Sequence, residues 1–149
     1  MAIISIFIFN ILLLSSYSHK NFFILIIFTI WIFDTFSYLG GSIIKGKKIF
    51  PNISKGKTYS GLISGIFGVT VIYFFFKEFS NQVNIISYPI ILSIITLSFI
   101  GDAIVSFLKR TASLKDTGNL IPGHGGFLDR LDSFIFVFFV FGIYYFISS

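Results

Sequence analysis

Six acidic side chains, spaced unevenly along 149 residues, carry most of the chemistry this chain could perform. Asp129 and Asp132 are three apart, so a helix entered at Leu128 would aim both carboxylates to one side. Asp102 and Ser106 are four apart and share a helical face in the same way. Ligands of this kind offer only oxygen, which suits Mg²⁺, an ion that takes a few carboxylates together with waters and substrate phosphates. The chain has no Cys and its two His are far apart in sequence, which argues against zinc. Asp129 and Asp132 would also serve simply as anions at a helix N-terminus.

Cations accompany the acids. Ser106 to Asp132 holds four of the eleven Lys+Arg, three of the six Asp+Glu and one of the two His. Within it Pro122-Gly123-His124-Gly125-Gly126 is a tight turn whose glycines permit positive φ and leave N–H groups free for an anion. His124 would contact phosphate or act as an acid–base group there, or make an ordinary polar contact. A second basic stretch, Gly40 to Thr58, interleaves Lys45, Lys47, Lys48, Lys55 and Lys57 with Gly40, Gly41, Gly46 and Gly56. Its spacing is not that of a Walker A loop. Its glycines and lysines suit phosphates, but they would equally set membrane orientation and touch anionic head groups.

The elements that must hold these groups are apolar. The chain is 55% hydrophobic and 11% charged, with 22 Phe and a mean hydropathy of +0.93. Soluble domains are roughly 25% charged. Repeated apolar runs, without the period-2 pattern of a barrel, predict an all-α polytopic membrane protein. Five helices are expected: Ala2 to Tyr17, Phe22 to Leu39, Tyr59 to Phe76, Ile85 to Leu108 and Leu131 to Ile147. The first is short for a span and resembles a signal-peptide core, yet no Lys or Arg precedes it, so a retained helix is expected. Pro89 falls in the opening turns of the fourth helix, where a missing donor costs little. Trp31 and the Phe residues read as lipid-facing or packing groups.

Nine of the eleven basic residues lie in 40–58 and 109–130, with Lys20 and Lys77 in the intervening links. The positive-inside rule then predicts five spans, N-terminus in and C-terminus out, with both large loops cytoplasmic. The net charge of +5 needs no nucleic acid to explain it. Asp34 and Asp102 sit within apolar runs near the cytoplasmic ends, where a carboxylate costs about 2.5–3.5 kcal/mol to insert. Acids and cations at one membrane face suit phosphoryl or nucleotidyl transfer, which depends on positioning and charge neutralisation. A cation transporter would instead carry polar residues through the depth of the bilayer.

The pattern also resembles a family. Ser106-x-x-Lys109-Arg110, then Lys115-Asp116, then Pro122-Gly123-His124-Gly125-Gly126-x-x-Asp129-Arg130-x-Asp132 closely resembles the signature of phosphatidate cytidylyltransferases (CDP-diacylglycerol synthases). Gly101-Asp102 resembles the Gly-Asp ahead of that signature. Asp34-Thr35-x-x-Tyr38-x-x-Gly41 looks like the family's Asp-Thr-x-Ala-Tyr stretch, and Ser54-x-x-Lys57-Thr58 its Ser-Pro-x-Lys-Thr segment. The likeness covers 31–132 as a catalytic region of a single membrane domain 1–149, with 1–20 a helix outside the signature. Lys55 stands where the family usually has Pro, Ser37 where it has Ala, and Val105 where it commonly has Glu.

The resemblance implies CTP and phosphatidate as substrates, CDP-diacylglycerol and pyrophosphate as products, and Mg²⁺ as cofactor, with room for a second cation. It implies catalytic roles for Asp102, Asp116, Asp129, Lys109 and Arg110, and metal ligation by Asp102, Asp129 and Asp132. Substrate binding would fall to Asp34, Tyr38, Ser54, Lys57, Thr58, Ser106, Lys115, His124, Gly125, Gly126 and Arg130. Membrane lipids would surround the helices, and the site would face the cytoplasm of a bacterial-type cell membrane. Family members are usually nearly twice this length, so a minimal enzyme, a truncated product, a homodimer and a pairing with an N-terminal partner are all compatible with the chain. The competing functions are another lipid nucleotidyltransferase, a polyprenol kinase and a non-catalytic membrane protein.

Overall fold

In a computed structural model of the protein, the backbone is described for residues 20–79, 87–114 and 128–148, and side chains for 21–54, 56–78, 87–114 and 131–144. Four helices occupy these residues: α1 (Lys20–Ile44), α2 (Tyr59–Phe79), α3 (Tyr88–Thr111) and α4 (Leu128–Ser148). They correspond to the second to fifth expected helices. The first, Ala2 to Tyr17, lies outside the described residues. Three of the four are long and apolar enough to cross a membrane, over Asn21–Ile44, Tyr59–Glu78 and Tyr88–Thr111, and α4 contains a shorter apolar stretch, Leu131–Tyr144.

The fold is mostly helical rather than all-α. The basic stretch expected to be a loop from Gly40 onwards begins as the last turn of α1, which runs to Ile44, and then forms a hairpin of β1 (Lys48–Phe50) and β2 (Ser54–Thr58). Phe50 and Ile53 close its turn, with Ile53 N–H donating to Phe50 O at 3.2 Å and Pro51 in the second position, where its fixed φ is an advantage. The strands pair antiparallel with Lys48 opposite Thr58 and Phe50 opposite Ser54, so β2 carries a bulge.

The chain divides into two units. Phe28 to Thr96 forms one of them, and in it α1 packs on α2 through small residues. Ser64 lies against Gly40, Thr58 against Gly41 and Ser37 against Gly65. A Cβ at Gly61 would stand 2.7 Å from Ser37 O, so only glycine permits this backbone approach. Close packing of small residues is what holds apolar helices together where lipid removes the hydrophobic driving force. This explains why Gly40 and Gly41 continue α1 instead of ending it. On α2, Thr70 Oγ1 and Tyr88 Oη share a 2.7 Å hydrogen bond, and Tyr73, Phe74 and Tyr88 cluster around it.

The other unit joins residues 1–27 to 97–149. In it the start of α1 packs on α4 through Phe22 against Phe141, edge to face at 5.3 Å, and Phe23 stacked on Phe138 at 5.3 Å. Such pairs add about 0.5–1.5 kcal/mol each beyond area burial. Gly101 of α3 packs on α4, where an added Cβ would meet Phe136 Cβ at 2.9 Å and Asp132 O at 3.1 Å. The helix ends in a Schellman motif. Leu114 N–H donates to Lys109 O at 2.9 Å and Ser113 N–H to Arg110 O at 3.0 Å, with Ser113 at φ 58° in the position usually given to glycine.

Candidate functional site

In the unit containing the ends of the chain, the predicted residues Asp102, Ser106, Lys109 and Arg110 ride on α3, and Asp132 on α4. Four-residue spacing stacks Asp102 on Ser106, whose hydroxyl donates to Asp102 Oδ1 at 3.3 Å. Because Gly101 has no side chain, α4 approaches α3 closely, with Asp132 O only 3.1 Å from where a Cβ at Gly101 would stand, and the carboxyl groups of Asp102 and Asp132 become neighbours. Lys109 Nζ lies 3.8 Å from Asp132 Oδ2, and both side chains are about six-sevenths covered, at 14% and 13% exposure. The Ser133 N–H donates to Asp132 Oδ1 at 2.8 Å. Arg110 is exposed and donates through Nη1 to Leu114 O at 3.3 Å, bracing the end of α3.

Two ionised carboxylates this close repel, and a shared cation removes the repulsion. Both donors are oxygens, as hard cations prefer, and Mg²⁺ is commonly held by only one or two carboxylates, the rest of its shell being waters and phosphates. The pair therefore fits that ion. Among the described residues no group of three His, Cys, Asp or Glu comes together. Asp129 and Arg130 lie in the first turn of α4, with side chains outside the described ones, and Lys115, Asp116, His124, Gly125 and Gly126 fall outside the described residues altogether.

In the unit Phe28 to Thr96, Asp34 and Tyr38 project from the same face of α1, both exposed. Ser54, Lys57 and Thr58 lie on β2. Thr58 has a role that its motif did not reveal. Its Oγ1 accepts the Gly61 N–H at 3.1 Å, capping α2, and shares a 3.1 Å hydrogen bond with Ser60 Oγ. The signal was present as a Thr immediately ahead of a long apolar run, three residues before Gly61. Ser37, which departs from the family's Ala, is half-buried at the α1–α2 contact, its covered Oγ lacking a partner among the described residues. Val105 is half-buried on α3 beside Ser106.

A profile described as the cytidylyltransferase family matches residues 1–148. The chain belongs to the cytidylyltransferase family. It is 40% identical to a phosphatidate cytidylyltransferase of Rickettsia bellii, an alignment covering 88% of this chain and 62% of that protein. It is 38% identical to the phosphatidate cytidylyltransferase of Haemophilus influenzae over 86% of this chain and 47% of the relative, and 36% identical to that of Thermotoga maritima over 76% and 45%. The chain thus spans about half the length of the curated relatives it matches. Membership agrees with the resemblance carried by Gly101-Asp102 and the segment that follows, and with the apolar helices of a membrane protein.

Proposed function

We propose that this chain transfers the cytidylyl group of CTP to phosphatidate, releasing pyrophosphate and forming CDP-diacylglycerol. The observation that supports this most strongly is the approach of Asp102 to Asp132 beside Lys109, in a chain of the cytidylyltransferase family. In the reaction a phosphate oxygen of phosphatidate attacks the α-phosphorus of CTP while the bond to the pyrophosphate oxygen breaks. That oxygen is already ionised near neutral pH, so a strong general base is unnecessary.

Asp102 and Asp132, with Asp129, would hold Mg²⁺, and the bound ion would neutralise phosphate charge; Asp116 would offer a further carboxylate. Ser106 fixes the orientation of the Asp102 carboxyl through its hydrogen bond. Lys109 holds Asp132 in place and lends positive charge to the site. Arg110, Lys115, Arg130 and Lys57 would balance the phosphates of the two substrates. The family motifs that they match give Asp34, Tyr38, Ser54, Thr58, His124, Gly125 and Gly126 roles in substrate binding as well. The concentration of basic residues in 40–58 and 109–130 supports five spans with N-terminus in, C-terminus out and the site on the cytoplasmic face.

Purified protein supplied with labelled CTP, Mg²⁺ and either phosphatidate or a polyprenol tests the reading. Labelled CDP-diacylglycerol with phosphatidate alone is the expected outcome. Phosphorylated polyprenol, or no product from folded protein, would overturn it.

A further inference from the structure

The hairpin between α1 and α2 has a charge distribution that the proposed reaction leaves unused. Lys45, Lys47 and Lys48 are all exposed, and among the described residues none of them makes an ion pair. No Asp or Glu occurs anywhere from Gly40 to Lys77, so the local positive charge is not balanced within the segment.

The backbone carrying these lysines is anchored. Lys45 N–H donates to Gly41 O at 3.2 Å, Gly46 N–H to Ser60 Oγ at 3.1 Å, and Tyr59 N–H to Lys47 O at 3.0 Å. The lysines therefore stand on a ledge tied to the first turn of α2. Beside them Ile43, Ile44 and Tyr59 are 75%, 63% and 54% exposed. The ledge joins the ends of two helices long and apolar enough to cross a membrane, which sets it at the depth where acyl chains give way to phosphates. A soluble anion would use the cations alone. A lipid uses the cations and the neighbouring apolar residues together.

We propose that Lys45, Lys47 and Lys48 form a contact for the phosphate-bearing head groups of anionic lipids, enriching such lipids around the hairpin. Clusters of this kind beside a span attract anionic head groups, each cation changing association roughly fivefold close to the surface. The inference rests on the membrane reading of α1 and α2 and is independent of catalysis.

Electron spin resonance of the full chain in phosphatidylcholine vesicles tests it, with spin-labelled phosphatidylglycerol and spin-labelled phosphatidylcholine as the two probes. The wild type should immobilise more phosphatidylglycerol than phosphatidylcholine. The triple variant K45Q/K47Q/K48Q should lower that ratio about twofold or more once averaged over the lipid ring. On the wild type, about 1 M NaCl, where the Debye length is about 3 Å, should abolish the enrichment. This arm requires no variant to fold. Inorganic pyrophosphate at low salt should leave the ratio unaltered. A ratio kept by the triple variant, kept in high salt, or abolished by pyrophosphate would overturn the proposal. Because no turnover is measured, such a failure would leave the proposed reaction untouched.

Discussion

Asp102 on α3 and Asp132 on α4 carry neighbouring carboxyl groups, on two helices whose residues are mostly apolar. Gly101 makes that approach sterically feasible, and Ser106 and Lys109 each hold one member of the pair. A pair of carboxylates between apolar helices is costly unless it is matched by positive charge. Its assembly from two helices is the main physical reason to regard it as a reaction centre.

Gly101→Val should separate the two acids. The new side chain would collide with Phe136 and the backbone at Asp132, and overpacking of this kind costs about 1–3 kcal/mol. Thermal unfolding in detergent should show that loss, and CDP-diacylglycerol formation should fall further than stability alone explains. Gly56→Ala is the control, since nothing lies within 4 Å of the added methyl group.

Lys109→Met should destabilise the protein by about 2 kcal/mol, somewhat below the 3–5 kcal/mol of a fully buried pair, because it leaves Asp132 without its cation. Lys109→Arg should recover most of the stability. Comparing the two by denaturant unfolding and by turnover separates the structural contribution of the charge from its effect on the substrates.

Thr58→Ala should cost about 1 kcal/mol by removing the cap of α2, and Thr58→Ser should restore it. Thermal unfolding checks both. If the hydroxyl also meets phosphate, Thr58→Ser should keep KM for CTP near the wild-type value while Thr58→Ala raises it.

Much of this was readable from residues alone. Apolar runs located the four described helices to within a few residues, and Gly101-Asp102 with the following signature pointed to the family. The hairpin was not readable, because Lys, Gly and Asn are weak strand formers and its pairing depends on Tyr59 N–H reaching Lys47 O. The extension of α1 through Gly40 and Gly41 was equally hidden. Adjacent glycines usually end a helix, and here they persist because Ser64 and Thr58 of a later segment pack against them. Lys109 read as a catalytic cation, and its approach to Asp132 could not be seen without knowing that α4 returns beside α3.

The most direct test of the central claim is formation of labelled CDP-diacylglycerol and pyrophosphate by purified wild-type protein and by Asp102→Asn. The wild type should need CTP, phosphatidate and Mg²⁺ together, lose its activity on chelation and regain it when Mg²⁺ is restored. Asp102→Asn, with unchanged helical content, should be slower by roughly 10²–10³-fold, the scale of removing one preorganised electrostatic contact. Folded wild-type protein that forms neither product, or an Asp102→Asn variant that turns over at the wild-type rate, would contradict the account.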